Sequence, residues 1–230
     1  MDRATDPSLL AVMQLADGRF PTGGHAHSLG FEAAAARFDL EPAPSMAEFV
    51  TGRLHTSGRT DAHLIATIRD RMAGGVPDWR AIDQEIDARI VSPRLRRTSR
   101  SLGRQWLRAG RRIWPDSPLP PAAGLGRDPH QVAAFAAVSV QAGVGAADAI
   151  AIHLHQLVAA IITAAVRLFG IDPYAAQRVQ ADFGGQIVAL VDAAMATAGV
   201  PFSDLPASSG PLTDLLAEEH GRWDSRLFQS

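Results

Sequence analysis

Apolar residues recur along the chain at the three- and four-residue steps of a helix, and segments with the alternation of a strand are hard to find. The pattern predicts an all-α fold, a single-domain bundle of roughly eight to ten helices. Residues 9–17 read as a short helix ended by Gly18. Ser28 stands where an N-cap would start a second helix, running through Phe31 and the alanines that follow. The segment SMAE, residues 45–48, has capping-box spacing and opens a helix expected to stop near Gly58. Another runs from there to Gly74 and Gly75. Asp78 can cap a helix through Ile90, and Ser92-Pro93 offers a cap followed by proline for one that reaches about Trp114. Asp128-Pro129 and Asp172-Pro173 repeat that device, predicting helices over 130–142 and 173–198. Between them, 146–169 is apolar almost all round, the signature of a central bundle element. Residues 115–129, PDSPLPPAAGLGRDP, hold five prolines and two glycines and predict a long surface loop. Past Gly199 come a polar Ser-Gly-Pro stretch, one short helical turn and the ending HGRWDSRLFQS. The expected organisation is one all-α domain over 1–221 and a tail over 222–230.

Composition narrows the chemistry. A formal net charge of -2 over 230 residues gives no bulk electrostatic case for a nucleic-acid or membrane partner. Cysteine is absent, which excludes disulfides, thiolate metal sites and a cysteine nucleophile. All 22 basic residues are arginine, so neither a Walker-type lysine nor a Schiff-base lysine is available. The first residues carry acidic groups and no apolar core of signal-peptide length, so the chain is expected to be cytoplasmic. The apolar stretch LVAAIITAAV, 157–166, falls short of the roughly 20 residues of a spanning helix, and no membrane anchor is expected.

The densest stretch of candidate chemistry is FPTGGHAHSLGFE, residues 20–32. It lacks the preceding strand and the Gly-Lys-Ser/Thr of a phosphate loop, and Ser28 lacks the G-x-S-x-G setting of a nucleophile elbow. No catalytic triad is visible in the sequence. His25 and His27 could reach one ion, but spacing fixes no third ligand, and capping or packing of the turn competes with that reading. His153 and His155 lie about 200° apart on a helix and cannot chelate together. The helix predicted from residue 93 carries eight arginines, of which Arg97, Arg100, Arg104, Arg108 and Arg111 form a stripe opposite Leu95, Leu102, Trp106 and Ile113. That stripe reads either as a solvated face or as a binding surface; the slightly acidic chain and the lack of interleaved aromatics argue against nucleic acid. The tail gathers Trp223, Leu227 and Phe228 beside Arg222 and Arg226, apolar groups that need burial on the bundle or on a partner.

LLAVMQLADGRFPTGGHAHSLGFEAA resembles the N-terminal signature of the UreF family of urease accessory proteins. SRSLGRQWLR at 99–108, VRLFGIDPYAAQR and the terminal SRLFQS are similar to further segments of that family, in the same order. The resemblance implies an all-α, commonly dimeric protein with no enzymatic activity and no cofactor. In that family the protein docks on the accessory protein UreD, also called UreH, and recruits the GTPase UreG, so that nickel reaches apo-urease. It implies that Gly23, Gly24, His25, His27, Ser28, Gly30 and Glu32 shape a docking surface or passage. Arg100, Gly103 and Arg104 on the arginine helix, and Arg226, Leu227 and Phe228 in the tail, are then contact groups. Because an apolar, Arg-bearing terminus follows a polar linker, residues 223–230 are expected to be disordered or loosely packed alone and to order on a UreD-like partner. Departures from the pattern are His25 where Phe is frequent, Pro173 for Gln, Gln229 for the penultimate Arg, and Ala160-Ile161 for a polar pair. The competing reading is a direct nickel carrier or a metal-dependent hydrolase using His25 and His27, without a carboxylate partner at defined spacing.

Overall fold

The computed structural model describes residues 6–38, 40, 42–75, 77–117, 125–224 and 227–228, apart from the side chains of His25, Pro42 and Ala43. Helices α1 (Pro7–Ala16), α2 (Phe31–Arg37), α3 (Pro42–Arg53), α4 (Arg59–Ala73), α5 (Trp79–Arg89) and α6 (Pro93–Ile113) make up the first half. The second holds α7 (Gln131–Gln141), α8 (Ala146–Phe169), α9 (Pro173–Asp182), α10 (Gly184–Met195) and α11 (Pro211–His220). No strand occurs among the described residues, and the fold is the expected all-α, single-domain bundle. The proline-rich loop lies in part, at 118–124, outside the described residues.

Several helix starts follow from local chemistry. The side chains of Asp78, Ser92 and Asp172 accept the backbone N–H groups of Ala81, Leu95 and Ala175 at 3.0, 3.1 and 2.9 Å, satisfying donors that a helix leaves orphaned at its first turn. Four expectations fail. Ser28 does not cap α2; Gly30 does, in the left-handed conformation. Gly58 does not end a helix either. α3 continues into α4 through a π-helical turn, Leu54–Gly58, in which the Arg59 N–H donates to the Leu54 carbonyl five residues back. A Cβ at Gly58 would lie 3.3 Å from Leu154 Cδ2, so glycine here serves the close crossing of α8. The helix expected over 173–198 divides at Phe183, which is buried, and the turn expected after residue 210 is the ten-residue α11.

α8 is the central rod, packed on by α1, α2, α3, α4, α9 and α10. It spans the expected 146–169, and at 24 residues it is long and apolar enough to cross a membrane by length and composition alone. In the bundle its Ile150, Leu154, Val158, Ile161 and Ala165 are fully buried by neighbouring helices. The α6–α7 pair makes the most extensive helix contact, and Gly103 permits a close approach beside it: a Cβ there would collide with the Pro129 carbonyl.

Candidate functional site

The loop between α1 and α2 is anchored from below by Phe20, which stacks on Trp106 of α6 at 5.0 Å and on Trp114 at 6.1 Å. Gly23 takes φ 77°, after which Gly24–Ala26 form a 3-10 turn. Leu29 and Gly30 follow with φ 55° and 91°, and Leu29 is the one non-glycine residue at positive φ among the described residues. Two successive left-handed residues reverse the chain so that Phe31 enters α2 facing Phe49 and Phe169. His27 and Ser28 are buried; the His25 side chain lies outside the described residues.

The loop forms one wall of a cavity of about 450 Å³, to which it contributes Asp17, Thr22, Gly24, His27 and Leu29. The opposite wall comes from α8 and α9 through His153, Gln156, Gln177 and Gln180. A smaller cavity of about 150 Å³ shares Leu29, Arg53, Ser57 and Asp61 with it and reaches the 208–214 segment. Arg53 therefore stands in the partition. Burial pushes its guanidinium below the ordinary value, opposed by Asp61 and Asp214. His153 Nε2 of α8 meets Asp61 Oδ2 of α4 at 3.0 Å, and both residues line the larger cavity. No group of three His, Cys, Asp or Glu converges on a metal position among the described residues.

Glu32 joins the two ends of the chain. Its Oε2 accepts from His220 Nε2 at 2.8 Å and from the Phe228 N–H at 3.1 Å, while Oε1 accepts from the Leu227 N–H at 2.8 Å. Phe228 is buried and lies under the Arg167 guanidinium, 4.8 Å from its carbon to the ring centre. The tail is thus not loose at Leu227 and Phe228 in the isolated chain: a buried carboxylate needs donors, and these two backbone amides supply them. Leu227 turns outward, 62% exposed. Arg226 lies outside the described residues. His220 escaped sequence reasoning, because nothing local connects a histidine at the end of α11 to a glutamate 188 positions earlier.

The remaining candidates sit apart from this clasp. Arg100 is engaged inside the fold, donating to Asp83 Oδ1 at 2.9 Å, Asp87 Oδ1 at 3.0 Å and the Asp128 carbonyl at 2.7 Å. Arg104 pairs with Asp128 at 2.5 Å and stays half exposed, and Gly103 is a packing glycine. The structure also assembles a serine, a histidine and an aspartate that spacing did not reveal. His130 Nε2 meets Asp87 Oδ1 at 2.9 Å and its Nδ1 meets Ser99 Oγ at 3.1 Å. Ser99 Oγ also accepts the Gln131 N–H at 3.1 Å, so the hydroxyl caps α7. His130 is fully buried, and the group works as a clamp among α5, α6 and α7.

Fold and site together define an all-α bundle with a loop-lined cavity and a clasp between its chain ends, and comparison with known proteins places that bundle among the urease accessory proteins. A family model described as UreF matches residues 40–184. The urease accessory protein UreF of Mycolicibacterium vanbaalenii is 35% identical over 226 residues, which cover 97% of this chain and 99% of that one. Those of Mycobacterium tuberculosis H37Rv and Mycobacterium marinum are 36% and 34% identical over 225 residues, again 97% of this chain and 99% of theirs. The chain belongs to the UreF family.

Proposed function

We propose that the chain is a non-enzymatic scaffold of urease maturation. It docks a UreD/UreH-like accessory protein and recruits and regulates a UreG-like GTPase, so that nickel is delivered to apo-urease. It acts in the cytoplasm as a homodimer, holds no cofactor, and uses neither nucleic acid nor a membrane. The observation that carries this reading is the Glu32 clasp, which sets the exposed Leu227 beside the family's signature loop as one composite surface. Apolar exposure held rigid by buried hydrogen bonds suits recognition, since little ordering remains to oppose association. The cavity behind the loop is the candidate passage for nickel as cargo.

Co-purification tests the reading. The tagged chain, co-expressed with UreD-like and UreG-like proteins, is expected to retain both. Glu32→Ala should lose the UreD-like partner while keeping a helical circular-dichroism spectrum. Purified alone, the chain should not hydrolyse GTP, since it has no lysine and no phosphate loop. Failure to retain either partner overturns the docking role, and GTP turnover that survives repurification overturns the non-enzymatic one.

A further inference from the structure

The C-terminal half of α6 brings Arg104, Arg108, Arg111 and Arg112 to a cleft of about 390 Å³, whose other lining residues are Leu107, Gly126 and Arg127. Five arginines line one space. The neighbouring Asp128 carboxylate is bonded to Arg104. The side chains of Arg108, Arg111, Arg112 and Arg127 are exposed and make no hydrogen bond or ion pair among the described residues. In a chain of net charge -2 this is a local reversal of sign, and like charges held so close favour an anionic occupant.

The shape of the cleft narrows the occupant. At 1.5 Å per residue, Arg104 to Arg111 covers about 10 Å of helix, more than one phosphate or carboxylate can span. No aromatic ring lines the cleft, so it offers no stacking platform to a base. A planar guanidinium matches a carboxylate edge to edge, and carboxylates at three- and four-residue steps would meet arginines placed at the same steps. We propose that this cleft is a docking groove for an acidic segment of a protein partner, with Asp or Glu repeating at helical spacing. The choice of a protein occupant rests on the scaffold reading above; the charge, spacing and lining do not.

The test uses the purified full chain and a fluorescent synthetic peptide with glutamates at helical spacing, read by anisotropy. The peptide is expected to bind, more weakly as salt rises. Arg108→Glu with Arg111→Glu should weaken it at least about tenfold, as expected for losing charge complementarity at an interface. The milder pair Arg108→Gln with Arg111→Gln should weaken it less, with circular dichroism confirming that both variants are folded. The charge-matched pair Arg80→Glu with Arg178→Glu, on α5 and α9, should bind as the parent does. Absence of peptide binding overturns the proposal, as does an equal loss in the two charge-matched pairs. A single-stranded oligonucleotide binding more tightly than the peptide, or inorganic triphosphate displacing it stoichiometrically, overturns it in favour of a phosphate-bearing ligand. Peptide binding together with failed partner co-purification sinks the scaffold reading and leaves the groove; the reverse result sinks the groove alone.

Discussion

Individual residues of the signature loop divide by backbone geometry. The sequence shows which positions are glycine but not which need to be, because φ is set by where the flanking segments are held. Phe20 is pinned between two tryptophans and Phe31 between two phenylalanines, and the chain between them must turn back. Gly23 and Gly30 absorb that reversal at positive φ; Gly24 does not. An added Cβ at Gly24 would approach only Thr22 Oγ1, at 3.9 Å. Gly24→Ala is therefore expected to change stability by less than about 0.5 kcal/mol, and Gly30→Ala to cost about 1–2 kcal/mol. Urea denaturation of the two variants decides: equal losses would mean that the left-handed conformation at Gly30 is not what the loop requires. Leu29 could not have been singled out in advance, since its positive φ is imposed by Gly30 and the α2 entry rather than by its own chemistry.

Among the elements, the starts of α5, α6 and α9 were legible because an aspartate or serine stands directly before each one. The π turn at Leu54–Gly58 was not, because it answers to the approach of α8, about a hundred residues away. The clamp of Ser99, His130 and Asp87 is likewise non-local, and it makes a pH prediction. Burial, and then repulsion from Arg100, push His130 below the ordinary imidazole value, against the Asp87 hydrogen bond that pulls it up. Burial and Arg59 push His63 the same way. In the unfolded chain these imidazoles take up protons near about 6.5, where the folded state resists them. The stability they contribute is thus complete above that pH and is lost as pH falls through their lower folded values. Asp87 acts in a separate window: burial raises its carboxyl, but hydrogen bonds from His130 and Arg100 bring it net below the ordinary value, so its contribution persists until more acid conditions. His130→Gln should cost about 1–3 kcal/mol at pH 7.5 through lost hydrogen bonds. It should also flatten the fall in stability below about pH 6.5. Urea midpoints measured across that range check both, and parallel slopes for parent and variant would remove His130 from the account.

For the whole molecule, the chain's two ends were each recognisable as unusual, but their meeting was not. A loop rich in glycine and histidine and a terminus rich in aromatic residues and arginine both read as surfaces awaiting a partner. The structure lets one serve the other, because Glu32 buried in α2 needs donors and the tail passes close enough to give two backbone amides. Leu227 and Phe228, adjacent in sequence, then separate in function. Phe228 is 3% exposed within the core, whereas Leu227 is 62% exposed on its surface. Phe228→Ala should cost about 3 kcal/mol by opening a cavity under Arg167. At about 2–4 °C per kcal/mol for a chain of this size, the melting temperature should fall by roughly 6–12 °C. Leu227→Ala should melt as the parent does and still weaken retention of the UreD-like partner, because it removes exposed apolar area and no packing. Differential scanning calorimetry beside the co-purification assay separates the two roles. If Phe228→Ala melts like the parent, the tail is not part of the core; if Leu227→Ala retains the partner in full, the surface built on the clasp is not the one that docks.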